Sequence, residues 1–181
     1  NDKQKLVRLS DGDSLRALTT VDLESPLVGP IVQAGESIAA VASTKSGDSL
    51  LVFNPTSLKS TGRLALPGRL ISGPFGQDDG CLIHTDQGLQ WISADAEQVW
   101  AIRFPTAAIA GAPQMVDGKL ILATVMGQIW IIEAQTGTVE ANVDLEQAFS
   151  SSPLITPQSI VVGTEEGTVL AIPIPTSKTI P

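Results

Sequence analysis

The chain carries few side chains that could move a proton near neutral pH. It has one histidine, His84, one cysteine, Cys81, and no tyrosine. General acid–base and nucleophilic mechanisms need such groups paired within hydrogen-bond reach. A lone histidine in an apolar segment is typical of a structural residue, and a lone thiol in a strand is typical of a small buried hydrophobe. We therefore expect no enzymatic activity, no internal disulfide and no cysteine-based zinc site.

The tetrapeptide Gly-Asp-Ser-Leu occurs twice, at residues 12–15 and 47–50. It also names a family of serine hydrolases, whose serine needs a histidine and an aspartate beside it to take up its proton. The single histidine, His84, lies in the middle of an apolar run, without the late Asp-x-x-His context of those enzymes. Gly, Asp and Ser are common turn residues, so both copies are predicted to be turns between strands.

Paired carboxylates are the next candidates, because calcium prefers several oxygen ligands in one loop. None of the pairs reaches the full alternating pattern of a calcium loop, so solvated turns are predicted, with no metal and no cofactor. The pairs are Asp11/Asp13, Asp78/Asp79 and Glu165/Glu166.

Tryptophan and arginine side chains could bind a ligand by stacking or by charge. Trp91 and Trp130 occupy equivalent places in the repeat described below, which indicates packing between sheets rather than a ligand platform, and Trp100 is the third tryptophan. The arginines are scattered, and no glycine-rich phosphate loop is present. The candidates for anion binding are Arg8, Arg63, Arg69 and Arg103.

Composition excludes several classes of function. Hydrophobic residues make up 43% and charged residues 17%, which is typical of a folded domain. The net charge of −8, without a basic patch in the sequence, argues against nucleic acid and anionic membrane surfaces. No apolar run approaches the roughly 20 residues that span a bilayer, so we expect no membrane insertion.

An internal repeat of about 40 residues must position these side chains. Four pairs of a small residue and a proline are separated by 44, 39 and 40 residues, and four glycines that open apolar runs are separated by 41, 39 and 40 residues. A period near 40 built from short apolar segments predicts one four-stranded propeller blade per repeat. The pairs are Gly29-Pro30, Gly73-Pro74, Ala112-Pro113 and Ser152-Pro153, and the glycines are Gly47, Gly88, Gly127 and Gly167.

Each unit is predicted to begin at the small-Pro pair with a short strand, followed by a near-continuous apolar second strand, a third strand after the marker glycine, and a more polar outer strand. Asp117-Gly118 between two β-prone runs predicts a tight hairpin. Helical periodicity is nearly absent, and residues 144–149 are the only short candidate. The predicted units are 1–25 (partial), 26–69, 70–108, 109–148 and 149–181 (partial), within one domain.

The ends leave the closure of the propeller open. Residues 5–9 and 15–20 are predicted as a third and a fourth strand, and the last unit has three strands before Pro173, Pro175 and Pro181. Both a closed four-bladed ring and a portion of a seven- or eight-bladed ring fit these four to five units. Since the first residue is Asn1, we expect a processed or excised part of a longer product.

One unit resembles a known family. Residues 115–124, followed by Gly127 and residues 128–139 with Thr136-Gly137, are similar to the repeat of pyrroloquinoline-quinone-dehydrogenase-type propellers. The outer-strand tryptophan of that repeat is missing after Thr136-Gly137, where Ala141 and its neighbours stand, and Trp100 lies near that place in the preceding unit. The resemblance covers roughly residues 26–172. It implies a propeller fold and an extracytoplasmic location.

Two functions from different classes follow. The expected one is a protein-binding or scaffolding propeller without catalysis, whose partner is another protein or the rest of a longer chain. The alternative is part of a quinone- or metal-dependent dehydrogenase, which requires inward-pointing acids with Arg or Lys and a tryptophan floor for the cofactor. An open part-ring also predicts a homodimer formed through exposed blade edges.

Overall fold

The computed structural model describes residues 4–11 and 14–174, and every regular element in these ranges is a β-strand. These ranges therefore contain no helix long and apolar enough to span a membrane. Part of the first Gly-Asp-Ser-Leu copy, Asp13, Pro175 and Pro181 lie outside the described residues.

The strands form five antiparallel sheets, and each sheet consists of strands that are consecutive in the chain. The first is a two-stranded hairpin, the next three have four strands, and the last has three. The hairpin is β1 (Lys5–Leu9) and β2 (Ala17–Asp22); the first four-stranded sheet is β3 (Leu27–Ala34), β4 (Ser37–Thr44), β5 (Gly47–Phe53) and β6 (Ser60–Ala65); the second is β7 (Leu70–Gln77), β8 (Gly80–Thr85), β9 (Gly88–Ser93) and β10 (Gln98–Ile102); the third is β11 (Gln114–Val116), β12 (Lys119–Ala123), β13 (Gln128–Glu133) and β14 (Val139–Asp144); the last is β15 (Leu154–Ile155), β16 (Ser159–Gly163) and β17 (Val169–Pro173).

The chain divides into two compact units, Asn1–Phe104 and Pro105–Pro181. The first contains the hairpin and the sheets β3–β6 and β7–β10. The second contains β11–β14 and β15–β17.

The burial of the strands follows their place in each sheet. All six residues of β8 are buried, and four consecutive residues of β12 are buried, whereas the outer strand β6 alternates between exposed and half-buried residues. A strand covered on both faces needs a continuous apolar run, and an outer strand needs polar residues on its solvent side. The predicted sequence of an inner apolar strand, a third strand and a more polar outer strand is thus confirmed in the three four-stranded sheets.

The hairpin at Asp117-Gly118 has positive φ at both residues, 50° and 75°. Asp tolerates this region and Gly favours it, and two such residues in sequence give the turn whose twist matches that of the flanking strands. The tight hairpin predicted from these two residues is present between β11 and β12.

The small-Pro pairs do not always begin the first strand, which differs from the prediction. In β3 the pairing with β4 holds at Leu27 and Val28, breaks, and resumes at Val32. Gly29 has a φ of 76° and Pro30 offers no N–H to the ladder, so the pair forms an irregularity inside the strand. In the second compact unit, Ala112-Pro113 and Ser152-Pro153 directly precede β11 and β15. Upstream of these pairs, isolated β-bridges join Ile109 to Thr124 and Phe149 to Thr164.

The helix candidate at residues 144–149 is wrong. β14 runs up to Asp144, whose Oδ1 accepts a hydrogen bond from the Glu146 N–H at 2.9 Å. Glu146 has a φ of 55°, which is incompatible with a right-handed helix. Phe149 is fully buried in the core of the second unit.

Apolar side chains between neighbouring sheets form separate cores. In the first unit one core joins the sheet β3–β6 to β7–β10, and a smaller one joins the hairpin to the sheet β3–β6. In the second unit the core joins β11–β14 to β15–β17. The smaller core consists of Leu6, Phe53 and Leu58, with Val21, Leu23, Ile38 and Leu51 packed against it.

Candidate functional site

The single histidine and the single cysteine both lie in the interior of the sheet β7–β10. His84 is fully buried in β8, and its ring meets the ring of Phe104 edge to face, with centroids 5.0 Å apart. Cys81 is also fully buried in β8, and burial raises the pKa of its thiol to about 12. A thiol with so high a pKa is protonated near neutral pH and is a poor nucleophile.

The second Gly-Asp-Ser-Leu copy is not a turn, because Gly47 to Leu50 open strand β5. Ser49 is only 8% exposed, and the carboxylate of Asp48 is bound by other groups. The structure therefore separates this tetrapeptide from the chemistry of a serine hydrolase: Ser43 and Arg69, rather than a histidine, contact Asp48.

Asp48 and Arg69 form an ion pair whose carboxylate is almost fully buried. The Arg69 Nη1 lies 2.7 Å from Asp48 Oδ1, and the side-chain exposures are 47% and 4%. Asp48 Oδ1 also accepts from the Ser43 hydroxyl at 2.7 Å, and Oδ2 accepts from the Leu70 N–H at 2.8 Å. Desolvation raises the pKa of Asp48, but these hydrogen bonds and the Arg69 charge outweigh it, so that the pKa lies below its ordinary value.

This ion pair connects two sheets of the first unit. Asp48 is on β5, while Arg69 and Leu70 lie where the chain enters β7. Arg69 also donates to the carbonyl oxygens of Thr44 at 2.7 Å and Lys45 at 3.2 Å. Of the four candidate arginines, Arg69 is thus occupied within the protein. Its role is to fix β7 against the β4–β5 turn.

The paired carboxylates remain at exposed turns. Asp78 and Asp79 precede β8, and Glu165 and Glu166 lie between β16 and β17, all of them exposed. Within residues 4–11 and 14–174, no group of three or more His, Cys, Asp and Glu side chains has an arrangement that could hold a metal ion.

The tryptophans contact neighbours inside their own sheets. Trp91 on β9 is paired with Trp100 on β10, and the rings stack with centroids 6.1 Å apart and an angle of 25° between their planes. Trp91 is 3% exposed and Trp100 is 7% exposed. The stacking partner of Trp91 is therefore a cross-strand neighbour in the same sheet. The Trp130 indole donates to Gln128 at 3.4 Å.

An open groove of about 410 Å³ lies between the hairpin and the sheet β3–β6. We call it the hairpin groove. One wall is the end of β2 and the segment after it, and the other is the outer part of the sheet. Its lining residues are Val21, Asp22, Leu23, Glu24, Ser25, Ala42, Leu51, Phe53, Leu58, Lys59, Ser60 and Arg63.

The floor of the hairpin groove is apolar and its rim is charged. Leu58 and Phe53 are 3% and 4% exposed, which makes the floor a continuation of the small core under the hairpin. Lys59, Ser60 and Arg63 on the sheet side are exposed, as is Glu24 on the hairpin side. An apolar floor with a polar rim is the anatomy of a protein-interaction surface.

The sequence did not reveal this groove. Its walls come from residues 21–25 and 42–63, which are separated in the chain by the whole of β3, and its floor residues are ordinary aliphatic and aromatic side chains. Arg8 and Arg63, scattered in the sequence, both reach the sheet β3–β6: the Arg8 Nη1 donates to the Thr56 carbonyl at 3.3 Å, beside the groove residue Leu58. The signal available was the polar outer strand β6 next to the apolar segment at Val21 and Leu23.

No protein-family model and no curated protein matches the chain. Solved structures do. The chain is similar to BamB from Moraxella catarrhalis, with 11% identity and a TM-score of 0.70 over 94% of this chain and 60% of that one. It is also similar to the computationally designed Ika4 protein, with 12% identity and a TM-score of 0.67 over 88% and 99% of the two chains.

A third likeness is to the WD40 domain of Neurospora crassa Pan2, with 17% identity and a TM-score of 0.60 over 86% of this chain and 49% of that one. The chain thus spans 60% of the length of BamB and about half that of the Pan2 domain. At these identities the likenesses show the fold alone. The predicted all-β propeller of four-stranded antiparallel blades is confirmed.

Proposed function

We propose that this chain is a protein-binding or scaffolding β-propeller module, and that the hairpin groove is where it binds. The observation that carries the proposal is the groove itself: the half-buried apolar side chains of Val21, Leu23 and Leu51 lie in it under a rim of exposed charged residues. Apolar side chains left in an open groove of this size can bury further surface only against a ligand. Propellers such as BamB and the WD40 domain of Pan2 support the same role for this fold.

Selection from a displayed library of random peptides on the immobilised full chain tests this function. We expect enriched peptides to bind with dissociation constants in the micromolar range, about −8 kcal/mol or weaker. Ser60 lines the groove and Thr61 does not, although both are exposed on β6. Ser60→Trp should therefore abolish binding of the enriched peptides, and Thr61→Trp should leave it unchanged. If both variants bind these peptides as the wild type does, the groove is not the binding site.

The same proposal places the chain among non-enzymatic pyrroloquinoline-quinone-type repeats in an extracytoplasmic compartment. Support comes from the resemblance over residues 115–139, which run from β11 to the first residue of β14. A ligand that binds only the native state raises the melting temperature. We expect no change on adding pyrroloquinoline quinone with calcium. A clear rise, or a turnover that vanishes in His84→Ala, would favour the dehydrogenase alternative.

A further inference from the structure

The two sides of the hairpin groove differ in charge: Lys59 and Arg63 line the sheet side, and Asp22 and Glu24 line the hairpin side. The net charge of the chain is −8, with 11 basic and 19 acidic residues. Lys59 and Arg63 are two of those basic residues and stand on one rim of the groove, while Arg8 reaches the loop before Leu58. Asp22 already interacts with another group of the chain. The lining therefore holds two acids on the hairpin side and two bases on the sheet side, and the bases are the groups that a ligand carboxylate could pair with.

Those cations are available to a ligand. Arg63 forms an ion pair with Glu24 at 3.9 Å, and the two side chains are 56% and 92% exposed. An ion pair so open to solvent contributes little to stability, so a carboxylate of a ligand can replace Glu24 at small cost. Lys59 forms no ion pair with any residue of the described part of the chain. A ligand carboxylate at this rim can pair with Lys59 or with Arg63.

Backbone groups at the groove favour an extended ligand. β2 is paired with β1 alone and β6 with β5 alone within residues 4–11 and 14–174, so each presents an outer edge without a strand partner. Residues of both strands line the groove: Val21 and Asp22 from β2, Ser60 and Arg63 from β6. A peptide strand added to such an edge forms hydrogen bonds with its backbone N–H and C=O groups. Every second side chain of the peptide then points to the same face and can enter a pocket beside the edge.

Together these features point to one ligand. We propose, on the basis of the protein-binding function above, that the hairpin groove binds an extended, acidic segment of a partner protein, with an aliphatic side chain against Val21, Leu23 and Leu51 and a neighbouring carboxylate at the sheet-side rim of Lys59 and Arg63. The aliphatic side chain supplies burial of apolar surface, and the carboxylate supplies orientation and selectivity.

Three synthetic peptides of about six residues, the typical length of a strand, test the charge requirement. All have two leucines two positions apart, flanked by glutamates in the first, glutamines in the second and lysines in the third, with a fluorescent label for anisotropy. We expect the glutamate peptide to bind about tenfold more tightly than the glutamine peptide, and the lysine peptide most weakly. The affinity of the glutamate peptide should decrease as the salt concentration is raised, whereas that of the glutamine peptide should hardly change.

Charge reversal in the protein provides the second arm. The double variant Lys59→Glu with Arg63→Glu should bind the glutamate peptide about tenfold or more weakly than the wild type, and it should bind the lysine peptide more tightly. The matched control is Lys45→Glu with Arg103→Glu, two residues that are also exposed but lie outside the groove; this variant changes the net charge by the same amount. Its affinity for the glutamate peptide should stay within about twofold of the wild type, with the residual effect screened by salt.

The outcomes separate this inference from the function on which it rests. Equal affinity for the three peptides, or equal losses in the two charge-reversed proteins, overturns the acidic ligand. If the library peptides still bind the wild type and not Ser60→Trp, the groove remains a protein-binding site with another specificity. If neither the glutamate peptide nor any library peptide binds, both proposals are wrong. A circular dichroism spectrum identical to that of the wild type should show that each variant keeps the fold.

Discussion

At the scale of single residues, Asp48 shows how a buried charge is stabilised. Its carboxylate accepts hydrogen bonds from the Ser43 hydroxyl, the Leu70 N–H and the Arg69 guanidinium. All three donors favour the ionised form, and one of them is a backbone group at the start of the next sheet. A residue that belongs to a hydrolase-like tetrapeptide in the sequence is thus a link between sheets in the structure.

We predict that Asp48→Asn lowers the free energy of unfolding by about 1–2 kcal/mol near neutral pH, because the amide cannot pair with Arg69 and offers one acceptor oxygen where the carboxylate has two. Urea denaturation followed by tryptophan fluorescence measures the change. Asp79→Asn, at an exposed turn, is the control and should alter stability by less than about 0.5 kcal/mol. An equal effect of the two substitutions would contradict the assigned role of Asp48.

The pH dependence follows from the same carboxylate. Its pKa in the folded protein is below the ordinary 3.8, so its contribution to stability is complete above 3.8 and is lost as the pH falls through the folded value. Below about pH 4 we therefore expect the wild type to lose stability more steeply than Asp48→Asn. Parallel slopes in urea titrations at several acidic pH values would show that the pKa of Asp48 does not differ between the folded and unfolded states.

At the scale of elements, close contact between β3 and β7 depends on the small residues of the repeat. A Cβ on Gly29 would lie 2.5 Å from the Gly73 carbonyl oxygen, and one on Gly76 would clash with the Gln33 carbonyl. The small-Pro pairs thus mark where two backbones approach each other. This is a packing reason for the period seen in the sequence.

Gly29→Ala should destabilise the protein by at least about 2 kcal/mol, because it combines positive-φ strain with a backbone clash. The control isolates the second term: Gly167 has a φ of 80°, close to the 76° of Gly29, but a Cβ there would meet nothing within 4 Å. Gly167→Ala should therefore cost only about 1 kcal/mol. Thermal unfolding of the two variants compares them, and equal losses would show that the clash is relieved by small shifts.

Sequence alone predicted the elements well and the groove not at all. The marker glycines and apolar runs are local signals, and β5, β9, β13 and β17 all begin at them or within two residues of them. The groove depends on which segments meet: Val21 and Leu23 come to face Leu51 and Phe53 through the packing of a hairpin on a sheet. Periodicity carries no information about that contact. The environment of Trp91 also depends on tertiary packing: the repeat predicts packing between sheets, whereas the ring stacks on Trp100 of the adjacent strand.

At the scale of the whole molecule, association through open edges and the number of blades in the ring stay predictions. In the part of the chain that is described, the last sheet has three strands, and the outer edge of β17 has no strand partner. Val169 on this edge is 71% exposed. An exposed strand edge with apolar residues is a template for pairing with another chain.

Sedimentation velocity over a range of concentrations should detect a reversible dimer if this edge mediates association. Val169→Lys places a charge on the edge and should shift the equilibrium toward the monomer by about tenfold. Leu154→Lys, at another exposed apolar position of the same sheet, is the control for a general effect of charge. A wild-type protein that is monomeric at every concentration would contradict the prediction of a homodimer.

The hairpin groove has two walls that come from successive parts of the repeat array, the β1–β2 unit and the β3–β6 unit. A gene duplication that adds one unit therefore adds both a sheet and a new boundary between sheets. Under the proposed function, substitutions at rim positions such as Lys59 and Arg63 would then change the ligand of one boundary without disturbing the buried cores. Such an array can gain new partners in evolution one boundary at a time, while its older contacts are kept.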